Sequence, residues 1–329
     1  MKGHFVRGFI MIVLFSIVSG CEIEGTQNEE SHISIGIMLS DVGLGDQSFS
    51  DSAFNGLIRA RDTLGVTFDY RELEQSGSYD QGLEELIEQE HSIIIGLGFM
   101  VKEALEEKAQ QYPEQQFVLI DDNSELANIA SVSFKEHEGS FLAGAAAAIA
   151  SENGTIGFVG GADVPLINKF AAGFLQGATY IDSEINVIIE YADDFGNPEL
   201  GAAIAGELIA QEADVLYAAA GLTGVGVLQK AQKETVKSIG VDSDQYFIAE
   251  DSVMTSMMKY IDEAVYQTVD SYLRDELSNE VILGLVENGV GLAPIRLVDE
   301  ERYLQEMEQI KEAIVSGDIE VFQERGANE

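Results

Sequence analysis

The sequence predicts an α/β protein built as two Rossmann-like lobes with parallel sheets. Three observations carry this. Its short apolar runs are continuous rather than alternating, which fits strands buried on both faces by covering helices. These runs alternate with amphipathic stretches at a regular pace. The pattern occurs twice, as two successive series of five strands with right-handed crossovers expected in each.

The first series takes residues 33–39, 66–72, 92–97, 117–120 and 129–134 as strands. The second takes residues 155–159, 186–190, 215–219, 238–241 and 246–249. Among the intervening helices, YDQGLEELIEQE at 79–90 places Leu83, Leu86 and Ile87 on one face, and Ser78 with Gln81 fits a capping box. Residues 197–213 and 252–277 read as helices in the same way. In such sheets ligands sit beyond the carboxyl ends of the strands. If the lobes face each other, the strand ends converge on one cleft: Ser40-Asp41, Gly98, Asp121-Asp122-Asn123, Gly160-Gly161, Tyr191, Ala220-Gly221 and Val241-Asp242.

The bulk composition narrows the partners. The chain has 329 residues, 46% of them hydrophobic, which suits two compact domains. Its formal charge of -40 would repel nucleic-acid phosphates, so DNA and RNA are excluded as partners. Residues 1–20 form a separate object, a signal peptide with Lys2 and Arg7 ahead of an apolar stretch too short to span a bilayer. It ends in VSGC, which resembles the lipobox of bacterial lipoproteins. Cys21 is then the lipidated residue, and residues 21–32 a polar, flexible spacer. The expected location is the extracytoplasmic face of the cell membrane, held by the lipid. The competing reading is an ordinary signal peptide with a chance cysteine. As Cys21 is the only cysteine, no internal disulfide framework or cysteine-rich metal site is expected.

The stretch LSDVGLGDQSFSD at 39–51 raises the question of chemistry. A phosphate cradle uses free backbone N–H groups with a lysine or arginine close by. Here Gly43 and Gly45 are flanked by Asp41, Asp46 and Asp51, and that reading fails. No G-x-S-x-G elbow occurs, and His32, His91 and His137 lack zinc-site spacing, so no metal is expected. Asp121 and Asp122 suggest a paired acid and base, the basis for a rival hydrolase reading. Neighbouring strand-end residues point to opposite faces, however, so only one of them is ligand-facing. No enzyme activity and no cofactor are expected.

What remains suits a neutral, flat, hydroxyl-bearing ligand. Strand-end carboxylates accept charge-assisted hydrogen bonds from sugar hydroxyls or ring N–H groups. Phe49 and Phe195 offer stacking surfaces, although Phe49 could equally be a core residue at a helix start. Asp41 could be a turn or N-cap residue. Lys259, in MTSMMKYID, could be a solvated helix lysine.

Four motifs resemble one family: DVGLGDQSFSDSAFNGL, VSFKEHEGSFLAGAAAAIAS, IGFVGGADVPLINKFAAGF and IGVDSDQ. Together they are similar to the basic membrane protein (BMP) family, the PnrA-like substrate-binding lipoproteins of bacterial ABC importers. The resemblance implies a type I periplasmic-binding-protein fold with a three-crossing hinge and a purine or pyrimidine nucleoside between the lobes. It implies a base between Phe49 and Phe195, contacted by Asp41 with Ser48 in support. It further implies Asp121 as the family's strand-end aspartate, Gly221 for close backbone approach, and Asp242 and Lys259 on the ribose hydroxyls. The partners implied are a nucleoside, an ABC permease and the membrane. The segment DQYFIAEDSVMTSMMK departs from the usual proline-containing pattern.

Under that reading the first lobe takes residues 33–134 plus 250–280 and the second 135–249 plus 281–329, with crossings near Lys135, Glu250 and Glu280. Two rivals remain: a sugar or autoinducer receptor of the same fold, which would be expected to carry an arginine in the cleft, and a regulatory lipoprotein that binds a protein. Arg59, Arg61 and Arg71 are expected on helix or distal strand faces instead.

Overall fold

A computed structural model describes residues 33–298 and 300–325. The expected signal peptide and Cys21 lie outside the described residues. Among the described residues, no helix is long and apolar enough to cross a membrane.

Two six-stranded sheets organise the chain. The first contains β1 (Ser34–Met38), β2 (Thr67–Arg71), β3 (Ile93–Leu97), β4 (Gln116–Ile120), β5 (Ile129–Phe134) and β11 (Glu280–Leu283). Their spatial order is β11-β5-β4-β3-β1-β2, and every pairing is parallel. The second contains β6 (Thr155–Gly160), β7 (Asn186–Tyr191), β8 (Val215–Ala219), β9 (Lys237–Asp242), β10 (Val253–Lys259) and β12 (Val290–Leu292). Its order is β12-β10-β9-β8-β6-β7, parallel except where β12 runs against β10. The first sheet is accompanied by α1 (Phe49–Leu64), α2 (Leu73–Ser76), α3 (Tyr79–Glu88), α4 (Lys102–Gln111) and α9 (Ile261–Leu273). The second is accompanied by α5 (Glu136–Ala150), α6 (Pro165–Ile181), α7 (Pro198–Ala210), α8 (Gly221–Lys233) and α10 (Glu300–Ser316).

The expected strands match to within one residue at either end through β9. Continuous apolar character is the reason: β3, with Ile93, Ile94, Ile95 and Leu97, is buried along its whole length. The Ser78 hydroxyl accepts from the Gln81 N–H at 3.1 Å, which fixes the start of α3.

Beyond β9 the structure corrects the sequence reading. Residues 246–249 are not a strand; Gln245–Ile248 forms a 3₁₀ turn whose cap is Asp244, its carboxylate accepting from the Tyr246 N–H. The last parallel strand of the second sheet is instead β10, cut from the front of the stretch read as one long helix. It forms a strand because both of its faces are covered, with Val253, Met254, Thr255, Ser256 and Met257 all buried.

This placement moves two of the three crossings. The first runs through Lys135, between β5 and α5. The second lies at Tyr260 rather than near Glu250, because β10 still belongs to the second sheet while α9 packs on α1. The third runs through residues 284–289 rather than near Glu280, since β11 pairs with β5 and β12 with β10. Residues 250–259 therefore go with the second lobe, and residues 281–283 of β11, expected in the second, go with the first.

Helices α5 and α6 approach so closely that glycine is required on both. A Cβ on Gly144 would stand 2.0 Å from the Phe174 carbonyl oxygen, and one on Gly177 1.9 Å from that of Phe141. Adding a methyl there forces the helices apart, and overpacking of this kind costs about 1–3 kcal/mol. Gly177→Ala is expected to lower the denaturation midpoint by that much stability without changing the m-value, as measured by urea unfolding.

Candidate functional site

The opening loop shows where its aspartates go. Asp46 is buried, and its carboxylate accepts from the backbone N–H groups of Ser48 at 2.9 Å, Ser50 at 2.7 Å and Asp51 at 3.2 Å. Asp51 in turn accepts from the N–H groups of Gly45 and Gln47. The donors at the start of α1 that would hold a phosphate are thus held by the protein's own carboxylates. Burial pushes the Asp46 carboxyl up to about 6 in spite of these bonds. Gly43 and Gly45 both take positive φ, which lets the chain turn sharply here and carries Asp41 to the cleft.

Strand ends of both sheets meet at one cleft, at Ser40-Asp41, Gly98, Asp121, Ala220-Gly221 and Val241-Asp242, whereas Asp122, Asn123, Gly160, Gly161 and Tyr191 do not line it. Its empty space is about 660 Å³ with the open mouth counted. Asp41, Phe49, Asp121, Phe195, Gly221, Asp242 and Lys259 all line it. Ser48 does not. It is buried behind the wall and donates from Oγ to Asp242 Oδ2 at 2.5 Å, a bond between the two lobes. Ser243 Oγ and Gln245 Nε2 both donate to the Gln47 carbonyl, at 3.2 and 3.1 Å, and close the same edge.

The aromatic walls come from both lobes. Phe49 opens α1 in the first, and Phe195 follows β7 in the second. Phe195 lies so close to Gly161 that a Cβ there would come within 2.1 Å of its ring, so the glycine makes room for it. Sequence reasoning missed Phe99 and Phe170, which also line the cleft. The Phe99 ring stands 6.3 Å from Phe195, centroid to centroid, tilted by 60°. Its position directly after strand-end Gly98 was the available signal. Leu97, Leu166, Ile167 and Val241 add further apolar wall.

One end of the cleft is charged. Lys259 is not a solvated helix lysine: it ends β10 and is only 1% exposed. Its ammonium is bonded to Asp121 Oδ1 and lies 3.2 Å from Glu136 Oε1. The rings of Phe134, Phe49 and Phe170 surround it at 4.9, 5.4 and 5.5 Å from their centroids, a cation–π enclosure. Burial alone would push the lysine down. Asp121, Glu136 and Asp242 together outweigh that and raise it above the ordinary lysine value, so it stays charged. Glu136, which the sequence reading did not single out, is fully buried.

The aspartate doublet is resolved. Asp121 faces the cleft, whereas Asp122 turns away to an ion pair with Lys102 at 3.3 Å and an accepted bond from the Asn123 N–H. Asp121 and Asp242 both hold left-handed backbone, with φ of 78° and 64°. Non-glycine residues adopt this at a cost, and it recurs where a site dictates the conformation. Burial and the nearby Asp194 raise Asp41, against hydrogen bonds from backbone N–H groups. Among the described residues no arginine lines the cleft: Arg59 pairs with Glu263, Arg61 with Asp62, and Arg71 with Asp69 and Glu85. Among the described residues, no group of histidine, cysteine and acidic side chains is arranged to hold a metal ion.

Burial pushes the Asp121 carboxyl up to about 7, with Lys259 pulling it down and Glu136 and Asp242 pushing it further up. A carboxyl raised in the folded protein contributes stability that is fully present below the ordinary carboxylate range. The contribution is lost as pH rises through about 7. A carbon-detected NMR titration of Asp121 is expected to show a midpoint near 7, and Lys259→Met to move it higher.

Comparison with known proteins places the chain. The family model described as "ABC transporter substrate-binding protein PnrA-like" matches residues 33–324. An uncharacterised lipoprotein of Pyrococcus horikoshii is 33% identical over 88% of this chain and 77% of its own. Basic membrane protein A of Borreliella burgdorferi is 31% identical over 86% of this chain and 85% of its own. Among solved structures, an ABC transporter solute-binding protein from Aeropyrum pernix K1 superposes with a TM-score of 0.81 at 26% identity, covering 90% of this chain and 95% of that one. A transcriptional activator of the comK gene from Bacillus halodurans shares the fold, with a TM-score of 0.76 at 20% identity over 87% of this chain and 99% of that one. The chain belongs to the PnrA-like family of ABC transporter substrate-binding proteins, the basic membrane protein family.

Proposed function

We propose that this solute-binding protein captures a nucleoside between its lobes and delivers it to an ABC permease, tethered outside the cell by lipid on Cys21. The observation that carries the reading is the pairing, in one cleft, of aromatic rings from both lobes with the carboxylates of Asp41, Asp121 and Asp242. Phe49 and Phe195 come from opposite lobes and offer two faces to a flat base. Asp41 accepts from base N–H groups. Asp121, Asp242 and Lys259 match ribose hydroxyls, which donate to carboxylates and accept from an ammonium. Gly221, at φ 54°, lets the backbone approach the ligand between them. Ser48 acts indirectly, by fixing Asp242.

The same features disfavour charged ligands. The loop's backbone donors are already taken by Asp46 and Asp51, so a nucleotide phosphate would meet carboxylates rather than free N–H groups. Binding requires no covalent step. Closure removes the ligand from water, and contacts made only in the closed form drive it.

Inosine, adenosine and guanosine are expected to raise the melting temperature in proportion to RT ln(1 + [L]/Kd), while ribose alone and the nucleoside monophosphates leave it unchanged. Phe195→Ala is expected to weaken binding roughly 10- to 100-fold by isothermal titration, as loss of about 1–3 kcal/mol of stacking requires. A shift with ribose but not with nucleosides would establish the sugar-receptor reading instead.

A further inference from the structure

Glu136 is fully buried, yet neither of its carboxylate oxygens has a hydrogen-bond partner among the described residues. What it has are two cations at ion-pair distance: Lys259 Nζ at 3.2 Å from Oε1 and Lys169 Nζ at 3.7 Å from Oε2. An unbonded buried carboxylate is expensive to keep unless it has a purpose or strong compensation. Its place in the chain suggests the purpose. Glu136 is the first residue of α5, next to the crossing at Lys135, and α5 packs on α6 and β10 of the second lobe.

Lys259 therefore stands between carboxylates carried by different bodies. Glu136 and Lys259 ride on the same lobe; Asp121, at the end of β4, belongs to the other. Rotation of the lobes separates groups on opposite sides and preserves those on one side. We infer that Glu136 is a positioning residue that holds the Lys259 ammonium within the second lobe and competes with Asp121 for it, thereby setting the balance between open and closed lobes.

Both directions of the balance follow from charge. In the open form Glu136 is the anion that stays with Lys259, and without it the ammonium would lose its nearest partner within the lobe. In the closed form its negative charge opposes that of Asp121 and shares the same ammonium, which weakens the latch. The charged groups around it are Lys259 from β10, Lys169 from α6, Asp121 from β4 and Asp242 from β9, with His137 and Glu138 following on α5. Lys169 is partly exposed and offsets some of the Glu136 charge from the far side. Removing that offset should favour opening, just as removing Glu136 favours closure.

The inference rests on the two-lobe closure in the function proposed above, but not on the identity of the ligand. It is tested without nucleoside, so its failure and the failure of nucleoside binding are told apart. The full chain with Cys21→Ser carries spin labels at Glu107→Cys on α4 and Glu207→Cys on α7, both exposed and on different lobes. Pulsed electron-spin distance measurements then give the closed fraction across pH. Glu136→Gln is expected to raise the closed fraction at pH 8 several-fold and to move the pH midpoint of closure downward. Lys169→Gln is expected to do the reverse. Glu136→Asp should restore the parent profile in part. Equal closed fractions in parent and variants, or a Glu136→Gln protein that is more open, overturns the inference. If Glu136→Gln does not fold, Lys169→Gln decides it, and an unchanged or more closed distribution there is equally fatal.

Discussion

The ammonium of Lys259 is the charge around which the cleft is organised. It is buried where the two lobes meet, which is a severe electrostatic condition. An isolated buried cation costs many kcal/mol in a medium of low dielectric, and it persists only where anions and ring faces replace water. Here Asp121, Glu136 and Asp242 supply the negative field, and Phe49, Phe134 and Phe170 supply the rings. Each of these groups comes from a different strand or helix, so holding one lysine constrains six segments at once. Asp121 and Asp242 also share left-handed backbone, a conformation that costs a non-glycine residue free energy.

The proposed neutral solute accords with how the remaining charges are spent. The first loop uses its carboxylates inward, on its own N–H groups, and so exposes an aromatic and one aspartate rather than an anion cradle. The arginines are spent outward, in ion pairs on the helices and edge strands. The cleft is left with donors and acceptors rather than with a strong net attraction for phosphate. Its apolar walls accord with the proposed flat base.

Most of the fold was legible because the inner strands β1, β3, β4, β5, β6, β8 and β9 are buried on both faces, so local composition carries the assignment. The reading broke down at β10. VMTSMMK contains methionines that serve helices well, and its strand character comes from the covering above and below, which is not local information. That misreading displaced the second crossing and left Lys259 on a helix, while the third was displaced because β11 and β12 were not read as strands. The site fared better, since Asp41, Asp121, Asp242 and Gly221 follow from being at strand ends. Glu136 was not legible: KEHE reads as a charged helix start, and its burial depends on β10 being a strand beneath it. Phe99 and Phe170 are ordinary apolar residues until the lobes are brought face to face.

The strand order has one more implication. Taken from the outer edge inward, β2-β1-β3-β4-β5-β11 and β7-β6-β8-β9-β10-β12 are the same arrangement written twice. Asp121, just after β4, and Asp242, at the end of β9, therefore occupy matching addresses in the two sheets. The correspondence is broken at the next strand along, for β5 ends in Phe134 where β10 ends in Lys259. It is broken again at the sheet edge, where β11 runs parallel to its neighbour and β12 antiparallel. One pair of equivalent positions thus carries an aromatic ring in one lobe and a cation in the other.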